Sequence, residues 1–111
     1  MPVRSTQFAK GKVTGTTLTK IYTVPSGYLA LLKWYSLTDV STVAGALVLS
    51  VRPGGDGSRT WFIHAATPGV GVVVSKETWF ALDASDEVYL QNNAATGAEV
   101  RYQLSGALLA L

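Results

Sequence analysis

His64 is the one histidine of the chain, and its neighbours Phe62, Ile63, Ala65 and Ala66 are all apolar. A metal centre needs several ligands, and a nucleophilic triad needs a base held between a nucleophile and an orienting acid. A single histidine with no partner nearby in sequence supplies neither, so a structural or surface role is expected for it. Asp83, Asp86 and Glu87 lie in a turn leading into a strand, where short polar side chains bond the local backbone. Their spacing matches no calcium loop, and no pair of opposed carboxylates of the kind a glycosidase uses stands out. The run Gly54-Gly55-Asp56-Gly57-Ser58-Arg59 superficially resembles a phosphate loop. It lacks the GK[ST] ending and no helix follows it, so it is read as a hairpin tip. With no cysteine there is no disulfide, thiol nucleophile or thiolate-held metal. The expectation is a chain with no catalytic residue, no cofactor and no metal.

The aromatic residues are more informative. Trp34-Tyr35, Trp61-Phe62 and Trp79-Phe80 form three adjacent pairs. Neighbours on a strand point to opposite faces, so one member of each pair should enter the core and the other should face outward. Outward aromatics suit a sugar-stacking platform or the anchors of a subunit interface. The interface is favoured, because the polar side chains that converge on a sugar are not evident in the sequence. The tail residues Leu108, Leu109 and Leu111 join the six aromatics as candidate contacts of that interface.

These side chains sit in a chain of 111 residues that is 48% hydrophobic and 14% charged. One domain fits this length. A soluble domain is usually about 25% charged, so some apolar surface is expected to meet another subunit. Disorder is excluded, since it combines low hydrophobicity with high net charge. The net charge of +2 divides unevenly: residues 1–38 carry Arg4, Lys10, Lys12, Lys20 and Lys33 with no acid, whereas seven acids face four bases from Asp39 onward. A basic amino-terminal segment can dock on an acidic protein surface, Arg4, Lys10 and Lys12 being the candidate contacts, or it can simply solvate an apolar region. The cations are spaced, not clustered, and follow no nucleic-acid-binding pattern, so no nucleic-acid partner is expected. No apolar run approaches a membrane span and the tail is too short for an anchor, so no membrane partner is expected and synthesis in the cytoplasm of its producer is.

Short windows of alternating apolar and polar residues, each bounded by Gly, Pro, Asn, Asp or Ser, predict strands joined by turns. The windows are Val3 to Ala9, Thr17 to Val24, Tyr28 to Thr38, Ala44 to Arg52, Thr60 to Ala66, Val70 to Val74, Glu77 to Leu82, Glu87 to Asn92 and Ala98 to Leu108. Tyr28 to Thr38 is apolar on both faces and reads as a central strand buried on two sides. The whole predicts an all-β fold, a two-sheet antiparallel sandwich of about eight or nine strands, jelly-roll-like. Residues 1–15 are expected to be a basic arm or edge strand, and residues 16–111 the single sandwich domain.

The segment Leu18-Thr19-Lys20-Ile21-Tyr22-Thr23-Val24-Pro25-Ser26-Gly27-Tyr28, the Trp79-Phe80-Ala81-Leu82 strand before the acidic turn Asp83 to Asp86, and the ending Leu104-Ser105-Gly106-Ala107-Leu108 resemble small β-sandwich structural proteins of tailed bacteriophages. The resemblance covers most of residues 16–109; where that group usually has Pro and Gly in the turn before the late strand, this chain has Asp83-Ala84-Ser85-Asp86. It implies a virion component and not an enzyme: a capsid decoration protein on the outer shell, a homo-oligomer with the trimer favoured, bound to the major capsid protein or another virion protein. Two other readings stand beside it, a tail or fibre-associated subunit and, from another class, a jelly-roll carbohydrate-binding module.

Overall fold

The computed structural model describes residues 3–111, with side-chain surroundings for residues 7–54 and 56–111. Eight strands follow one another: β1 (Val3–Thr14), β2 (Thr19–Thr23), β3 (Tyr28–Asp39), β4 (Leu47–Arg52), β5 (Trp61–Ala66), β6 (Val73–Leu82), β7 (Glu87–Asn92) and β8 (Glu99–Ala110). Every pairing is antiparallel. β1 pairs with β8, β2 with β7, β3 with β6 and β4 with β5, so the chain is one long hairpin of nested pairs. Rolling that hairpin up brings β8 beside β3 and β7 beside β4. The result is two four-stranded sheets, ordered β1-β8-β3-β6 and β2-β7-β4-β5, which is the jelly-roll arrangement expected from the sequence.

The windows at Val70 to Val74 and Glu77 to Leu82 are a single ten-residue strand, β6. Gly69 and Gly71 both have positive φ and turn the chain just before it, so the break lies ahead of Val73 and not within the strand. β1 is an edge strand of its sheet, paired with β8 along its length.

Bulges decide which side chains reach the core. On β3 the buried residues are Ala30 and Leu32, then Tyr35, Leu37 and Asp39, so the inward parity changes at Lys33. Lys33 is the extra residue against β8, where Leu32 faces Gly106 and Trp34 faces Ser105. Across the sheet, Phe8 is bulged in β1, while Thr78 and Trp79 together oppose Lys33 from β6. This parity change corrects the expectation that β3 is buried on both sides. β3 is central, but only one face packs into the core; Leu29 and Leu31, which precede the bulge and make the strand's second side apolar, are half-buried on the outer face.

Between the sheets, Leu32, Leu37 and Leu104 from one side meet Leu47, Leu49 and Leu90 from the other, all fully buried. One end of the sandwich is fixed by a buried polar network. The Asp39 carboxylate accepts hydrogen bonds from the Ser41 and Gly45 backbone N–H groups at 3.0 Å each, from Asn92 Nδ2 at 3.1 Å and from the Ser41 hydroxyl. Burial by itself would raise the Asp39 pKa, but these donors outweigh it and hold the carboxyl below its ordinary value.

Candidate binding surfaces

The two flanks of the sandwich differ. At the β1/β2 flank, Phe8 and Tyr22 stack with ring centroids 5.2 Å apart and close the gap between the sheets. At the opposite flank, β5 and β6 are the free edges of their sheets and hardly touch. A cleft of about 420 Å³ stays open there, with Trp61 and Phe80 as its aromatic walls and Arg59, Asp83 and Asp86 among its polar lining. Deeper in this flank the Tyr35 hydroxyl of β3 and His64 Nδ1 of β5 meet at 3.2 Å and tie the sheets together.

The aromatic pairs divide as expected at two places. Tyr35 is buried and Phe80 packs against the core, while Trp34 is half-buried on the outer face and Trp79 is 76% exposed. The third pair departs from the expectation: Trp61 and Phe62 are 61% and 67% exposed. Register explains it. Val51, buried, is opposite Trp61, so Trp61 does take the inward side of β5, but the sheets are too open there to cover it. The extra residue Ile63, lying between the partners of Leu49 and Ser50, sets that parity.

Tyr35 is buried in the domain's own core, and Phe80 and Leu108 are half-buried and pack against it, Phe80 at the same time walling the open cleft. Leu109 is half-buried between Val3 and Leu29 on neighbouring strands, and Leu111 is exposed, its N–H bonded to the Gly27 carbonyl at 2.9 Å. Sequence reading missed Val70, Val72 and Val73, which are about half exposed or more in the β5–β6 connection and the start of β6. Their signal was the valine run itself, which was assigned to a separate strand. The side chain of Arg4 lies outside the described residues. Lys10 and Lys12 project from β1, and Lys12 Nζ is 3.9 Å from Glu99.

The outer face of the β1-β8-β3-β6 sheet forms a second surface. Across it, register aligns Lys12, Arg101, Thr38 and Val73 in one row. Lys10, Gln103, Ser36 and Ser75 form the next, and Gln7, Ser105, Trp34 and Glu77 the third. Beyond the third row, Lys33, Trp34, Glu77 and Trp79 line a groove of about 400 Å³. The Lys33 ammonium lies 5.4 Å from the centre of the Trp79 ring, and Trp34 Nε1 donates to Ser75 Oγ at 2.8 Å. These side chains meet only in the folded sheet, because they come from four strands that are distant along the chain.

Among the described residues, no group of three or more His, Asp and Glu side chains is placed to hold a metal ion. No family model matches the chain, and no curated protein matches it in sequence. Among solved structures it is similar to the N-terminal cellulose-binding domain of β-1,4-glucanase C from Cellulomonas fimi, at 10% identity over 93% of this chain and 79% of that one, with a TM-score of 0.36. An overlap at that score supports no functional argument.

Proposed function

We propose that this domain is a structural subunit of a bacteriophage particle, a capsid decoration protein that associates with copies of itself through the β5 flank and binds the assembled outer shell. The observation that carries the reading is the open flank. Trp61, Phe62, Val70 and Val72 lie exposed on one edge strand and its connection, in a molecule whose other flank is closed by an aromatic stack. Exposed aromatic side chains on a free edge strand mark a docking site, and the unpaired N–H and C=O groups of that edge favour a protein occupant. Two largely exposed aromatics can supply the central anchors of such a contact.

The proposed role is energetic. A subunit that binds the assembled shell and not its dissociated parts stabilises the assembled state by mass action, by about 2.7 kcal/mol at a free concentration one hundred times its Kd. Charge contributes through the basic amino-terminal third, whose cations face a body with more acids than bases.

The test is co-sedimentation with shells that lack the protein. The reading predicts saturable binding that raises the temperature at which shells break open, and loss of both effects in the Trp61→Ser/Phe62→Ser variant. Absence of binding to shells, together with recovery of the protein on tails or fibres in intact particles, would favour the alternative position in the virion. Unchanged shell binding by the double variant counts against the β5 flank.

A further inference from the structure

The outer face of the β1-β8-β3-β6 sheet is far from inert, and its chemistry differs from that of the β5 flank. We infer that this face is a binding platform for an acidic polysaccharide, with a sugar ring held in the groove between Trp34 and Trp79 and carboxylate groups of the chain met by Arg101 and Lys10. The inference does not depend on the docking role, whose anchors are Trp61 and Phe62, although both readings draw on the amino-terminal cations.

Strands lie about 4.8 Å apart and alternate side chains about 6.7 Å apart along a strand, so the three rows make a platform about 14 Å square. Its side chains are hydroxyls and amides at the centre, indoles at one end and cations at the other. That is the complement of a glycan, whose rings present C–H faces to an indole and hydroxyls at their edges. Half-buried Ser36 and Thr38 and the bonded pair of Gln103 and Gln7, 3.0 Å apart, are spaced along the path such a chain would follow.

Charge selects the class of glycan. Lys10, Lys12, Lys33 and Arg101 lie on or beside the face against Glu77, with Glu99 engaged by Lys12, so the surface carries an excess of positive charge. A protein partner fits poorly, because charged side chains are depleted at the centre of protein interfaces. The Lys33 ammonium lies over the Trp79 ring and places a positive charge at the stacking site itself.

The experiment is native affinity electrophoresis of the full chain through gels containing polygalacturonate, alginate or hyaluronan, with methyl-esterified polygalacturonate and dextran as the uncharged counterparts. Retardation is expected with at least one acidic polymer and with neither neutral one. Trp79→Ala, at an exposed position and therefore without effect on folding, should weaken that binding about tenfold, the equivalent of about 1.4 kcal/mol. Arg101→Gln and Lys10→Gln should each weaken it, and Trp61→Ala should leave it unchanged. No retardation by any acidic polymer overturns the inference. So does retardation that survives Trp79→Ala and disappears with added salt, which is bare charge attraction, or retardation that is lost with Trp61→Ala.

Discussion

Tyr35 and His64 join the two sheets at the open flank, with the phenol oxygen 3.2 Å from Nδ1 and the rings edge-on at 5.7 Å. The His64 Nε2 atom is buried without a hydrogen-bond partner among the described residues. Protonating this imidazole would place a charge in a poorly solvated position beside Lys76. Burial first, and the Lys76 charge second, accordingly lower the His64 pKa from its ordinary value of 6.5.

A pH dependence follows from that shift. The unfolded chain takes up its proton near pH 6.5 and the folded chain only at lower pH, so between the two values the unfolded state binds more protons. Stability should be fully present above pH 6.5 and decline as pH falls toward the lowered folded value. Thermal melts from pH 8 to pH 5 should show Tm falling in that range, and His64→Gln should flatten the decline. An equal slope in the variant would place the titration elsewhere.

Asp39 makes the opposite kind of prediction, because here the charged form is the satisfied one. Asp39→Ala leaves the Ser41 and Gly45 N–H groups without their acceptor in a buried site and takes one of three acceptors from the Asn92 amide. Such a loss should cost about 3 kcal/mol or more in urea denaturation. The depressed carboxyl contributes stability that is complete above its ordinary value of 3.8 and is lost as pH falls through the folded value, so acid unfolding should be steeper in the native chain than in the variant.

Gly106 is required by the bulge at Lys33. That bulge brings the Leu31 carbonyl against β8, and a Cβ at position 106 would collide with it. Gly106→Ala should therefore destabilise the domain by about 3 kcal/mol, near the upper end of overpacking costs. Gly11→Ala, where the nearest obstacle is the movable Tyr102 side chain, is the control and should cost much less. Equal midpoints for the two variants in denaturant would show that the bulge is not a fixed feature.

Much of the fold is legible in the sequence, and the exceptions have a common cause. Alternation on β8, where Val100 and Leu104 are buried and Arg101 is exposed, identifies a half-buried strand without further information. Turn chemistry marks Pro25-Ser26-Gly27, where Gly27 takes a positive φ. What alternation cannot reveal is a bulge, since an extra residue reverses every assignment beyond it. On β3 the bulge at Lys33 moves the inward set from Ala30 and Leu32 to Tyr35 and Leu37, while the half-buried Leu29 and Leu31 before it make the outer side apolar as well. The exposure of Trp61 was equally hidden, because it depends on how closely β5 approaches β6, which lies in the other sheet. For the same reason the row Lys10, Gln103, Ser36 and Ser75 appears only when four strands are set side by side.

The docking role of the β5 flank is tested most directly by light-scattering mass at micromolar concentration, for the native chain and for Trp61→Ser/Phe62→Ser. The native chain should run as an oligomer, about 35 kDa for a trimer of the 11.8 kDa chain. The double variant, which removes only exposed side chains and should keep its stability within about 0.5 kcal/mol, should run as a monomer. A native chain that is monomeric at that concentration, or an oligomer that the double variant leaves intact, would contradict it.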